Sequence, residues 1–132
     1  MSYLFDTNVC IELLRGDSPQ LRATMLSHQP SQIEIPAIVE AELLHGALKS
    51  LRVAENLRAV KAFLNQFAIV PFDSAAAAHY AATRRTLEQA GQIIGPLDLL
   101  IAATALAVDG ILVTHNTTEF SRFPALRVED WQ

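Results

Sequence analysis

The sequence predicts an α/β fold with a central, mainly parallel sheet of four to five strands. Short apolar segments alternate with longer segments of helical spacing along the whole chain, which is typical of parallel strands joined by crossover helices. Proline or capping residues mark several helix starts. The 132 residues are 51% hydrophobic and 18% charged, enough for a genuine core, so we expect residues 1–132 to form a single domain.

The first half of the chain predicts two strands and four helices. Gly16 ends the first helix, and Ser18 with Pro19 starts the second. Apolar residues from Val53 to Phe67 recur at helical spacing with charged residues between them. The predicted elements are a strand at 3–6, helices at 8–15 and 18–29, a strand at 33–36, and helices at 36–50 and 53–67.

The second half repeats the alternation. Ser74 can cap an Ala-rich helix that Gly91 ends, and Pro96 opens a nearly apolar helix that ends at Gly110. The predicted elements are strands at 68–72 and 111–114, helices at 74–91 and 96–110, and a further short strand at 126–128. Strands alternating with helices imply right-handed crossovers and a sheet covered on both faces.

Acidic residues stand at the ends of apolar segments: Asp6, Glu42, Asp98 and Glu119. Carboxylates beside a packed core are costly unless they are paired, hydrogen-bonded or bound to a cation. In a parallel sheet, ligands bind beyond the carboxyl ends of the strands, where Asp6 and Asn116 are expected. Converging carboxylates repel one another, and a hard divalent cation relieves that repulsion. We therefore predict a Mg²⁺ or Mn²⁺ site.

Each of these acids also has a purely structural interpretation. Asp6 can cap the helix that follows it, and Asp98 lies near a helix N-terminus, where the helix dipole favours its charge. Asn116 and Glu119 have the spacing of a capping box for one helical turn.

Glu42 has a neighbouring competitor, Glu40. At about 100° per residue the two side chains point to nearly opposite sides of a helix, so only one of them can face a given cleft. Glu42 groups with His45 and Lys49 on the helical wheel, which suits either a cleft wall or solvent. Periodicity alone does not decide between the two glutamates.

Four segments in order resemble the PIN-domain ribonuclease toxins of the VapC family, from VapBC type II toxin–antitoxin systems: FDTNVCIELL, AELLHGALKS, GPLDLLIAATALA and LVTHNTTEFSRFPALRVEDW. The resemblance covers essentially the whole chain, including the tail LRVEDW. It implies an α/β/α sandwich and a metal-dependent endoribonuclease that a VapB antitoxin inhibits. The expected cofactor is Mg²⁺, with Mn²⁺ as a substitute.

The same resemblance assigns roles to residues of this sequence. It implies that Asp6 and Asp98 coordinate the metal and that Glu42 and Glu119 complete the catalytic set, which favours Glu42 over Glu40. It implies supporting roles for Asn8, Thr114 and Asn116. Many PIN domains carry aspartate where this chain has Asn116, so we expect one firm metal site and a second that forms only with substrate. A metal-activated water would cut RNA to leave a 5′-phosphate and a 3′-hydroxyl.

Several basic residues are candidates for holding RNA. Lys49, Arg84 and Arg85 could bind phosphates, although a solvated helix face explains them equally well. His45 and His115 could lie near the cleft. The net charge of −4 gives no overall basic footprint, but it does not exclude a nuclease whose acids are neutralised by metal. The resemblance makes transfer RNA the leading substrate.

The expected partners follow from the resemblance. We expect the VapB antitoxin to bind an apolar groove formed by the helices around residues 8–28 and 51–67, and the toxin to form a homodimer and a hetero-oligomer with its antitoxin. A single cysteine, Cys10, and the lack of an apolar run of about 18 residues suit a cytoplasmic protein without a membrane segment.

Four alternative functions can be compared with the sequence. A receiver-like phosphoacceptor domain needs a lysine late in the chain, and none follows Lys61. A haloacid-dehalogenase-type phosphatase needs an aspartate where this sequence has Asn8. An inactive PIN fold that only binds RNA or antitoxin fits poorly with the retention of all four acids. Metal-dependent cleavage of DNA stays open, because the chemistry does not require ribose.

Overall fold

The computed structural model describes residues 1–132 and contains a five-stranded parallel sheet, as the sequence predicts. The strands are β1 (Tyr3–Phe5), β2 (Ile33–Pro36), β3 (Ala68–Val70), β4 (Ile111–Val113) and β5 (Arg127–Glu129). The helices are α1 (Thr7–Arg15), α2 (Pro19–Leu26), α3 (Ala37–Leu48), α4 (Val53–Leu64), α5 (Ser74–Gln89), α6 (Pro96–Ala107) and α7 (Thr117–Phe120). The short strand predicted at 126–128 is present as β5.

The strands lie in the order β3-β2-β1-β4-β5, and all four neighbouring pairs are parallel. The chain therefore builds the sheet outward from β1 to β3 and then returns to add β4 on the other side of β1. Right-handed crossovers in these two directions place helices on opposite faces of the sheet. The strand order reverses between β1 and β4, whose carboxyl ends form the topological switch point of the sheet.

The core follows from the continuous apolar strands. β1 and β4 pair with each other in the middle of the sheet, and Leu4, Phe5, Leu112 and Val113 are inaccessible to solvent. Strands buried on both faces are typical of parallel sheets. Helices α1, α3 and α4 pack against one another, and α5 packs along α6. One continuous apolar cluster joins these elements to the sheet.

The six predicted helices are present, but several end earlier than predicted, among them α2 at Leu26, α4 at Leu64 and α6 at Ala107. Asp73, rather than Ser74, caps α5, because its carboxylate is one residue earlier and accepts a hydrogen bond of 3.0 Å from the Ala76 backbone N–H. A short 3₁₀ helix at Pro30–Gln32 precedes β2, where the sequence pattern gives no periodic signal. Gly16 ends α1 in the left-handed conformation, as its position predicts.

The C-terminal tail after β5 is held by aromatic contacts. Trp131 is only 6% exposed and stacks on His28 with ring centroids 4.5 Å apart. Phe120 and Phe123 are also buried. Cys10 is buried in α1, and burial together with the Asp6 charge raises the pKa of its thiol well above the usual range. None of the helices is both long and apolar enough to cross a bilayer.

Candidate active site

The fold brings four separate segments together at the switch point of the sheet. Asp6 directly follows β1, and Thr114 and Asn116 directly follow β4, which pairs with β1 in parallel register. The N-terminal turn of α6 adds Asp98, and α3 adds Glu42. Two strand ends and two helices therefore supply the polar groups of this region.

Asp6 is the most deeply placed acid of the site, with 5% of its surface exposed. Its Oδ1 accepts a hydrogen bond of 2.9 Å from the Val9 backbone N–H, so it does cap α1. Its Oδ2 accepts a second hydrogen bond from the hydroxyl of Thr114. Burial raises the pKa of Asp6, and the charges of Glu12 and Glu42 add to the rise, whereas the two hydrogen bonds oppose it. Capping of α1 therefore uses only one of the two carboxylate oxygens of Asp6.

Asp98 lies in the first turn of α6, as predicted, and is half-buried. Its pKa is raised to about 6, first by burial, then by the charge of Glu119 and a hydrogen bond with that carboxylate, and further by Asp6 and Glu42. The helix N-terminus favours the charged form, yet the neighbouring acids outweigh it. Asp6, Glu42 and Glu119 are therefore close enough to Asp98 for their charges to act on it.

Glu42 is the α3 glutamate that reaches the site. Its Oε1 accepts a hydrogen bond of 2.5 Å from the Thr7 hydroxyl, which ties α3 to the first turn of α1. Glu42 lines the cleft together with Asp6 and Asp98, whereas Glu40 is not part of the cleft wall. The geometry agrees with the choice of Glu42 that the family resemblance implied.

Asn116 and Glu119 do not form the capping box that their spacing allows. The Asn116 side-chain amide donates a hydrogen bond of 2.8 Å to Glu119 Oε2, and no side chain caps α7. The Asn116 backbone N–H donates instead to the Thr114 hydroxyl at 3.0 Å. Thr114 thus accepts from Asn116 and donates to Asp6, so one buried hydroxyl connects the two strand ends.

Asp6, Glu42 and Asp98 line a cleft of about 550 Å³. Thr114, Asn116 and Glu119 lie outside its wall. Lys49 and His45 of the same α3 face lie on its wall, as does the predicted supporting residue Asn8. Arg84 and Arg85 are not part of this wall, because both belong to α5. Arg84 lines another cavity and is occupied by hydrogen bonds to Tyr80 and Glu88. His115 lies in a cavity that adjoins the cleft.

The donor set fits a hard divalent cation. All candidate ligands are oxygen atoms of carboxylate, amide or hydroxyl groups, which Mg²⁺ and Mn²⁺ prefer over nitrogen or sulfur. Burial, followed by the charges of neighbouring acids, raises the pKa of Asp6 and of Asp98, and a bound cation would favour their charged forms. In the arrangement described, no three acidic, histidine or cysteine side chains converge on one point, so the carboxylates must adjust their rotamers on binding.

Sequence reasoning missed two polar residues of this region. Thr7 orients Glu42, and Glu12 adds negative charge near Asp6. The triplet Asp6-Thr7-Asn8 offers more side chains than one helix cap needs, and this surplus was the available signal for Thr7. Glu12 gave no such signal in the sequence, because an acidic residue inside a helix is usually exposed to solvent.

A parallel α/β sheet with acidic side chains at its switch point is the arrangement expected of a PIN-type nuclease. Comparisons with known proteins agree. The sequence model of the PIN domain family matches residues 3–126. The chain is 34% identical over 131 residues to the tRNA(fMet)-specific endonuclease VapC of Shigella flexneri and 38% identical over 133 residues to the ribonuclease VapC2 of Rickettsia felis. Each alignment covers 99% of this chain and 98% of the relative.

Solved structures give the same result. The crystal structure of VapBC2 from Rickettsia felis bound to a DNA fragment from their promoter contains a chain with a TM-score of 0.94, at 35% identity and full coverage of both chains. DNA-bound VapBC from Salmonella typhimurium gives a TM-score of 0.95 at 32% identity, covering 100% of this chain and 99% of that one. The chain belongs to the PIN domain family and, within it, to the VapC ribonucleases.

Proposed function

We propose that this chain is the toxin of a VapBC-type toxin–antitoxin pair and acts as a divalent-metal-dependent endoribonuclease, with transfer RNA as the leading substrate. The observation that carries the proposal is the placement of Asp6, Glu42 and Glu119 near Asp98 at the switch point, where burial and then the charges of these acids raise the pKa of Asp98 to about 6. The similar VapC proteins of Shigella flexneri and Rickettsia felis, an endonuclease and a ribonuclease, support the same reaction.

The residues divide into cation ligands and groups that orient them. Asp6 and Asp98 would hold Mg²⁺, or Mn²⁺ as a substitute, and Glu42 and Glu119 would complete the catalytic set. When bound, the cation lowers the pKa of water and offsets charge on the scissile phosphate, so that in-line attack leaves a 5′-phosphate and a 3′-hydroxyl.

The chain's own hydrogen bonds prepare this arrangement. The Thr114 hydroxyl fixes one carboxylate oxygen of Asp6, and the Asn116 amide fixes Glu119. Thr7 occupies Oε1 of Glu42 and leaves Oε2 without a hydrogen bond from the protein, free to accept a proton from the attacking water. Asn8 lies on the cleft wall beside these groups. The 2′-hydroxyl is not needed as a nucleophile, so preference for RNA must arise from shape and unpaired bases.

The partner of this toxin is proposed to be a VapB-type antitoxin. The similar structures from Rickettsia felis and Salmonella typhimurium are VapBC assemblies. We further propose that residues 1–132 form a single PIN domain, that the toxin forms a homodimer as well as a hetero-oligomer with antitoxin, and that it acts in the cytoplasm, where its substrate is made. The groove along α1, α2 and α4 is the proposed antitoxin site.

The test is cleavage by the purified, antitoxin-free protein. Total cellular RNA is incubated with Mg²⁺, with Mn²⁺ or with EDTA, and the new ends are mapped by sequencing. Discrete metal-dependent cuts with 5′-phosphates are expected for the wild type, and none for Asp98→Asn. Glu42→Gln should also be inactive, whereas Glu40→Gln, two residues away on the same helix, should cut normally.

Two results would contradict the proposal. If wild type and Asp98→Asn are equally inactive on RNA, the acids are structural and the chain is a binding module. If both cut equally well, other residues or a contaminant are responsible. A parallel incubation with single-stranded DNA separates ribonuclease from general nuclease activity.

A further inference from the structure

A second cavity, of about 340 Å³, adjoins the acidic cleft along α1. Its wall is made of Asn8, Ile11, Glu12, Arg15, His115 and Asn116. Asn8 and Ile11 line both cavities, so the two spaces meet along one face of α1. The cleft and this second cavity together form a path past Asp6, Glu42 and Asp98, whereas Glu119 lines neither cavity.

Each half of this path carries an unpaired cation. Arg15 lies on the α1 face that holds Asn8 and Ile11, because positions four and seven residues apart share a helix face. Lys49 lies in the same way beyond Glu42 and His45 on α3. Neither cation has a carboxylate within ion-pair distance, whereas Arg52, Arg84 and Arg127 each do.

The C-terminal residue keeps Arg15 unpaired. Glu12 is three positions before Arg15 and would be its natural ion-pair partner on the helix. The Glu12 carboxylate accepts a hydrogen bond from the Gln132 side-chain amide instead. On the opposite wall of the cavity, His115 Nδ1 lies 3.1 Å from Asp130 Oδ2, so the Asp130 carboxylate interacts with His115. The guanidinium is therefore exposed and available to an anion.

We propose that Arg15 and Lys49 bind backbone phosphates of an unpaired RNA strand on opposite sides of the scissile phosphate. This inference rests on the proposed function. An endonuclease must hold its substrate on both sides of the cut, and phosphate contacts fix the register of a nucleic acid on a protein. Lys49 itself lines the acidic cleft, and Arg15 is four residues, or about 6 Å along α1, from Ile11, which lines both cavities. A guanidinium matches phosphate geometry well, so Arg15 is the stronger of the two contacts.

A structural role alone would give a different result. Arg15 stands in the last turn of α1, where a positive charge stabilises the helix dipole. Such a role predicts a lower melting temperature for Arg15→Gln and no change in RNA binding. Arg58, on α4, is exposed, unpaired and outside both cavities, which makes Arg58→Gln a matched control for the loss of one positive charge.

The test measures binding of a fluorescein-labelled twelve-nucleotide oligouridylate in the presence of Mg²⁺, with Asp98→Asn as the background so that no cleavage occurs. Adding Arg15→Gln should weaken binding about tenfold, since a hydrogen bond to a charged group is lost. It should also reduce the slope of log K against log salt by about 0.7, the value for one phosphate contact on a single strand. Lys49→Gln should reduce the slope similarly, and Arg15→Lys should restore it.

The inference is overturned if Arg15→Gln has no more effect than Arg58→Gln, or if it weakens antitoxin binding while RNA affinity is unchanged. Cleavage assays in the wild-type background separate this failure from failure of the proposed function. If the wild-type chain cuts RNA and Arg15→Gln cuts it with the same KM, only the phosphate subsite is wrong. If the wild-type chain does not cut RNA, the proposed function itself is wrong.

Discussion

The hydroxyl of Thr7 donates a hydrogen bond of 2.5 Å to Oε1 of Glu42, although the two residues are 35 positions apart. The bond joins the first turn of α1 to the middle of α3 and selects one orientation of the glutamate. Groups that orient metal-site carboxylates commonly affect activity nearly as strongly as the ligands do.

Replacement of Thr7 should therefore impair cleavage without unfolding the protein. Thr7→Val keeps the shape of the side chain but loses the donor, and we expect a fall in kcat of about 10- to 100-fold. Thr7→Ser retains the hydroxyl and should keep most of the activity. The measurement is the cleavage rate at saturating RNA, with thermal melting as the check on folding. Wild-type rates for Thr7→Val would show that Glu42 needs no such support.

Asp98→Asn should stabilise the protein in EDTA at neutral pH. The pKa of Asp98 is about 6 in the fold, above its ordinary value of 3.8, so its contribution to stability is fully present below about pH 4 and is lost as the pH rises through 6. Removing the charge at pH 7.5 should raise the melting temperature by a few degrees, a figure that allows for screening around a half-exposed side chain. The difference between variant and wild type should vanish near pH 4. A variant that melts at or below the wild-type temperature at pH 7.5 would contradict the repulsion.

Divalent cations should reverse the order of these stabilities. A cation at a hundred times its dissociation constant adds about 2.7 kcal/mol to the free energy of unfolding. Mg²⁺ or Mn²⁺ should raise the melting temperature of the wild type and of Glu40→Gln, and should have little effect on Asp6→Asn or Asp98→Asn. Titrations with each cation give the preference between them. Equal shifts in all four proteins would place the cation elsewhere.

The aromatic contacts of Trp131 in the C-terminal tail should contribute strongly to the free energy of unfolding. Trp131 contacts Tyr3, Phe5 and His28, with ring centroids 5.3, 5.5 and 4.5 Å away. Trp131→Ala should lower the free energy of unfolding by about 3–5 kcal/mol, as truncation of a buried aromatic side chain does. Trp131→Phe should lose less, because it forfeits mainly the indole hydrogen bond to Glu129. Urea unfolding measures both, and a loss below about 1 kcal/mol for the alanine variant would show that the tail is only loosely attached.

The fold could be predicted from the sequence because each signal is local. Apolar strands, Pro96, Gly16 and the alternation of elements fix the sheet class without knowledge of distant contacts. Asp6 and Asp98 could be predicted for the same reason, since strand ends and helix starts are visible in the sequence. Glu42 could not be separated from Glu40 by periodicity, and only the resemblance to known toxins distinguished them.

Residues whose role depends on distant partners were harder to predict. Thr7 acts through Glu42, and Asn116 turns its amide to Glu119 rather than capping α7, so neither role follows from spacing along one helix. Arg84 looked free in the sequence, but Tyr80 and Glu88 of its own helix engage it. Arg15 was overlooked because Glu12, its expected ion-pair partner, accepts a hydrogen bond from Gln132, which is distant in the sequence.

The hydrogen bond from Thr114 to Asp6 joins positions 108 residues apart, and β1 pairs with β4 across almost the same span. A ribosome adding about 5–20 residues per second needs on the order of 5–20 s to make that stretch. A growing polypeptide thus carries Asp6, the first acid of the candidate site, long before the strand that completes the pocket. Nascent chains stalled ahead of Ile111 should leave RNA intact, so translation itself delays the onset of toxicity and gives an antitoxin time to engage.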